Sequence, residues 1–178
     1  MSNPPPQTRD DLLAAFTALE AESVAYWNAF DDATFFAKIG EAWSPAENVR
    51  HLIKSIRPVV KALHTAKIIL RLTFGKARRE SMTYDALRAR YQEGLDAGGQ
   101  AGRFAPSSRP ETDREAIMGN FTRVNRELRE AIARWPEKKL DVLQLPHPLM
   151  GKLTVREMLF FTHYHQRHHM DVVRRRMR

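Results

Sequence analysis

The sequence predicts an all-α fold: an up-down-up-down four-helix bundle with short extra helices between the second and third helices. Three observations carry that prediction. Four Ser or Thr residues each stand three positions before an acid and just ahead of a periodic apolar run: Thr8/Asp11, Ser44/Glu47, Thr112/Glu115 and Thr154/Glu157. This is the capping-box pattern, in which two orphan backbone N–H groups at a helix start are satisfied reciprocally. Behind each cap the apolar residues recur at spacings of three and four, as they do along one helix face. No segment alternates with period two over a useful length.

In the first helix Leu12, Phe16, Leu19 and Tyr26 or Trp27 trace a loose stripe. The second starts with Pro45 at the first helical position, where its missing N–H costs nothing. Its stripe is Val49, Leu52, Ile53, Ile56, Val60 and Leu63, interrupted by Pro58. Residues 65 to 111 are too many for a tight connection. Within them "KIILRLTFG" and "TYDALRARYQEGL" read as shorter helices and "AGGQAGRFAPSSRPE" as a loop, an insertion expected to lie across one end of the bundle. The third helix carries a regular seam of Ile117, Phe121, Val124, Leu128, Ala131 and Trp135. A second linker, "EKKLDVLQLPHPLMGK", contains Pro146 and Pro148, which argue against helix there. The fourth helix runs on from Val155. No internal repeat is visible, and 178 residues are read as one domain, 1–178.

With 43% apolar and 28% charged residues the composition is that of a globular chain. No run reaches the length of a membrane span, and "MSNPPPQTRDD" lacks the apolar core of a signal peptide, so the expected location is cytoplasmic. The chain has no cysteine. A disulfide framework, a thiolate nucleophile and a sulfur-ligated metal are therefore excluded, and any metal must be held by nitrogen and oxygen. A net charge of +8 and a pI near 10.1 invite a nucleic-acid reading. Much of the excess, however, sits in "RRRMR", where cations also favour a helix C-terminus. No zinc finger or RNA-binding aromatic motif accompanies it, so no specific nucleic-acid partner is expected.

The stretch "FFTHYHQRHHM" holds four of the seven histidines. Continuing the three-four spacing from Val155 through Met158 and Thr162 places His165 and His169 inward, with His168 on the shoulder of that arc and His163 well off it. Two imidazoles four residues apart on one helix face can chelate one ion. Burying them without a partner is costly, and a shared metal removes the cost. A catalytic metal usually takes three protein ligands and keeps an open position. For the third ligand the residues leave His51, His64 and His147. The apolar stripe of the second helix centres roughly 140° away from His51 and nearer His64.

The segments "AWSPAENVRHLIKS" (42 to 55) and "PHPLMGKLTVREMLFFTHYHQRHH" (146 to 169) resemble the second and last helix starts of the DinB-like superfamily, with its W-S-P-x-E-x-x-x-H-L and H-x-x-x-H motifs. The resemblance implies a bundle in which one histidine of the second helix and two of the last bind a divalent metal, zinc or nickel. It assigns those ligands to His51, His165 and His169, with His168 a minor alternative to His169. Because His51 lies about 10 Å into its helix and the pair about 16 to 22 Å into theirs, the fourth helix is expected to begin lower than the second.

The resemblance further implies a metal-dependent hydrolase or a thiol S-transferase acting on an unidentified small molecule, and a homodimer. In both chemistries an open metal lowers the pKa of a bound water or thiol and so prepares a nucleophile. Glu47, one turn before His51, is a candidate base or support for the ligand, although its capping box accounts for it. Phe160, Phe161 and Tyr164 either line a pocket or pack as core or dimer contact, and Trp43 reads as packing at a helix start. Two other functions are expected to leave different signatures. A metal-stabilised dimerisation or stress-response module would bind metal without turnover, and a basic nucleic-acid or membrane-surface binder would show steep salt dependence without metal dependence.

Overall fold

The structure, a computed structural model, describes residues 5–106 and 113–178. In chain order the elements are α1 (Arg9–Asn28), α2 (Asp32–Phe36), α3 (Pro45–His64), α4 (Lys67–Phe74), α5 (Tyr84–Asp96), a 3-10 turn (Gly102–Phe104), α6 (Arg114–Ala133), α7 (Glu137–Leu140), the hairpin strands β1 (Gln144–His147) and β2 (Gly151–Thr154), and α8 (Val155–Arg176). The four long helices α1, α3, α6 and α8 form the bundle. Thr8, Ser44 and Thr154 each close a full capping box, with Asp11, Glu47 and Glu157 returning the bond. The fourth expected box involves Thr112, which lies outside the described residues. There α6 is capped by Asp113, whose side chain accepts the Ala116 amide at 2.9 Å. A carboxylate one residue nearer the helix does the same work as a hydroxyl.

The helix directions correct the expected up-down-up-down order. Arg9 lies against Trp135 and Glu137 while Arg114 reaches the carbonyls of Trp27 and Asn28, so α1 and α6 are antiparallel. The Trp135 indole N–H donates to the Leu63 carbonyl, 2.8 Å away, which puts the ends of α3 and α6 side by side and makes them parallel. Arg156 contacts Gln7, and Arg167 pairs with Glu22, so α8 runs with α1. The order is up, down, down, up. The reason is the long segment after α3, which carries the chain back along the bundle instead of lying across one end. Within it α5 packs along α8, and Arg79 and the Met82 amide bind Glu157 at the α8 start.

The same directions remove the expected stagger. Since α3 and α8 are antiparallel, depths counted from opposite caps of helices about 30 Å long bring His51 level with His165 and Asn48 level with His169. The second linker holds a feature that the period-two test missed. β1 and β2 pair antiparallel from Gln144↔Thr154 to His147↔Gly151. Four residues per strand are too few for alternation to register, and Pro146 is tolerated because a two-stranded ribbon leaves one edge of each strand free. Every residue of the predicted third-helix seam is buried, and one continuous core joins it to Leu12, Phe16, Leu19 and Trp27 of α1 and to the stripe of α3. No helix among the described residues is long and apolar enough to cross a membrane.

Candidate metal centre

α3 and α8 bring His51, His165 and His169 together. Each offers one ring nitrogen to a set whose members all lie within 4.8 Å of one another. His165 Nε2 stands 3.1 Å from both His51 Nε2 and His169 Nε2. For comparison, nitrogen ligands at tetrahedral angles around zinc stand about 3.3 Å apart. The apolar stripe of α3 faces α6, and His51 points instead toward α8, which is why a helical wheel centred on that stripe could not single it out.

The outer nitrogens are fixed by groups that can only accept. His51 Nδ1–H donates to the Phe104 carbonyl at 2.9 Å, delivered by the 3-10 turn. His169 Nδ1–H donates to Asn48 Oδ1 at 2.7 Å. The Asn48 amide is oriented by its own N–H group, which donates to the Ser44 carbonyl at 2.9 Å. Both rings therefore present bare Nε2 atoms. His165 Nε2 can carry at most one hydrogen, so at least one of the two 3.1 Å approaches sets lone pair against lone pair. Protonation offers little relief, because burial lowers the pKa of His51 and pushes His165 and His169 well below the usual histidine range. A divalent cation fits the donor set.

The other histidines sort by surroundings. His64 is exposed at the end of α3, away from the cluster. His168 is half-buried on the cavity wall, its ring 5.6 Å from that of His169, and is not one of the converging three. His163, placed off the inward arc by periodicity, is nonetheless buried, between Phe16 and the Tyr84 hydroxyl, which is 2.9 Å from its Nδ1. α5 covers that side of α8, so more of its circumference is interior than one seam predicts. Glu47 keeps its capping role, its carboxylate accepting the Ser44 amide at 2.8 Å.

The sequence profile of the DinB superfamily matches residues 7–173. The chain belongs to the DinB superfamily. Its fold is similar to a crystal structure described as TT2238, a four-helix bundle protein, at 18% identity over 94% of this chain and 98% of that one, with a TM-score of 0.61. No curated protein matches the sequence.

Around the cluster this DinB superfamily chain builds a cavity of about 380 Å³. Two residues read from the sequence mainly as packing form its wall. Trp43 stacks on His169 with an interplanar angle of 5° and lies 5.1 Å from the His51 ring. Phe161 stacks on His165 at 4.8 Å. Tyr91 of α5 packs edge-on against His165 and His168, and burial pushes its hydroxyl up to about pKa 12, so it stays protonated. Tyr91, like the Phe104 carbonyl, belongs to the segment between α3 and α6, where no motif marks it.

Proposed function

We propose that this DinB superfamily chain is a divalent-metal-dependent enzyme of hydrolase or thiol S-transferase type, with His51, His165 and His169 as ligands and zinc or nickel as the ion. The observation that carries the reading is the pair of Nδ1 anchors, the Phe104 carbonyl and Asn48 Oδ1, which turn bare Nε2 atoms toward a third imidazole beside a cavity. Such anchors commonly orient metal-bound histidines. Three protein ligands favour an open, reactive site, since structural zinc is usually closed by four. When bound, the ion supplies Lewis acidity that lowers the pKa of a water or thiol joining it. The protein's part is to hold the rings in place, to shield them with Trp43 and Phe161, and to bind an unidentified small molecule. With no cysteine in the chain, the nucleophile comes from solvent or substrate.

The test is metal content by plasma mass spectrometry on tag-free protein, native against His51→Ala and His165→Ala. About one equivalent in the native chain, lost in both variants, is expected. A native chain that stays metal-free after incubation with zinc and with nickel refutes the reading. A second reading, a non-catalytic metal-stabilised module acting as a homodimer, draws on Ile68, Ile69 and Leu72, which α4 leaves exposed. Sedimentation of native protein against Leu72→Glu separates it: that reading requires a dimer which the charge disrupts.

A further inference from the structure

His147 lines the same cavity as the triad but is not one of the converging ligands. Its Nδ1 accepts hydrogen bonds from the amides of Leu149 at 3.2 Å and Met150 at 3.1 Å, in the turn between β1 and β2. A ring nitrogen that accepts carries no proton, so the hydrogen of the neutral ring sits on Nε2. Burial keeps the ring neutral, its pKa pushed down to about 4. In this tautomer Nε2 cannot ligate a metal and can only donate. Among the described residues it has no hydrogen-bond partner, yet it is not one of the sealed, unpaired polar atoms, which include those of Trp27 and Gln166. The hairpin's other contributions to the wall, Leu145, Pro146, Pro148 and Leu149, are apolar side chains. The Phe161 ring packs against both histidines, 4.2 Å from His147 and 4.8 Å from His165.

We propose that His147 is a ligand-orienting donor of this cavity, its Nε2–H holding an acceptor oxygen of the bound molecule beside the Phe161 ring that also packs against the triad. A donor of fixed tautomer in an apolar wall selects orientation, because leaving it unpaired on binding is costly. The substrate class follows: a molecule with one end at the triad, an apolar middle, and a carbonyl or carboxylate oxygen at the other end. This inference rests on the metal reading above, and its test keeps the two apart.

His147 has a second role, holding the hairpin turn through Nδ1, and two substitutions divide the roles. His147→Asn keeps an acceptor near the Nδ1 position and removes the donor; His147→Gln puts an amide N–H near the Nε2 position. Zinc-loaded protein is titrated calorimetrically with alkyl hydroxamates of increasing chain length and with the same chains ending in a methyl ketone. For the chain length that spans the cavity, the ketone is expected to bind about tenfold tighter than its alkyl counterpart in native protein and in His147→Gln, and equally in His147→Asn. No ketone advantage at any length, or an advantage that survives in His147→Asn, overturns the proposal. A native chain that takes up no zinc overturns the metal reading alone. The proposal is then decided on the metal-free chain by nitrogen NMR: acetophenone shifts the His147 Nε2–H resonance, and no shift, or a proton found on Nδ1, overturns it.

Discussion

Asn48 does more at the residue scale than its small amide suggests. It sits one turn into α3, takes its orientation from the Ser44 carbonyl, and fixes which nitrogen of His169 is bare. Of the adjacent His168 and His169, about 100° apart around the helix, the structure brings His169 into the converging three. His165 and His169 were legible from their spacing alone. His51 was not, because the apolar stripe of its helix reports the α6 interface and is silent about α8, so the family motif supplied it. Asn48→Ala is expected to leave the fold intact and to weaken zinc binding by about 10- to 100-fold, the usual effect of removing a partner of a ligating histidine. Competition against a chromogenic chelator measures it, and unchanged affinity would show that the His169 ring is held by packing against Trp43 instead.

At the scale of elements, the segment between α3 and α6 decides the topology, and one buried carboxylate ties it down. Glu157 is 0% exposed. Burial alone would raise its pKa, but Arg79 and the amides of Met82 and Thr154 together bring it below the ordinary carboxylate value. The same group closes the α8 capping box, so helix start and crossover share an anchor. Arg79→Ala is expected to destabilise the protein by about 1–3 kcal/mol, because a buried charge loses its ionic partner while its amide donors remain. Urea denaturation checks this, and a change under about 0.5 kcal/mol, the range of ordinary surface substitutions, would make the pair incidental. Helix starts were legible because caps are local chemistry. Helix direction was not, because it depends on where a long connection runs, and the hairpin escaped because its strands are so short.

At the scale of the whole molecule, the class of fold followed from the caps and the α6 seam, whereas the cavity did not. Its walls come partly from α5, the 3-10 turn and the hairpin, whose patterns are weak, and it is bordered by imidazoles held neutral. Buried imidazoles, His147 at the cavity and His163 between Phe16 and Tyr84, give the molecule a predictable acid response. His147 and His163 have pKa values pushed down to about 4 by burial, with Arg167 adding to the effect at His163, against 6.5 for the unperturbed side chain. Between these values the unfolded chain binds protons that the native chain refuses, so unfolding free energy falls as pH falls from about 6.5 to about 4. Each group contributes on the order of 3 kcal/mol across that window. The carboxylates of Asp141 and Glu157, lowered in the native state, add a further loss below it. Denaturant midpoints at pH 7 and pH 5 are therefore expected to differ clearly, with the lower at pH 5 and the slope unchanged. Zinc, binding the native chain alone, is expected to raise the pH 7 midpoint further and to lose that advantage on acidification as protons compete for the same Nε2 atoms. Equal midpoints at the two pH values would mean that the buried imidazoles gain protons without opening the fold.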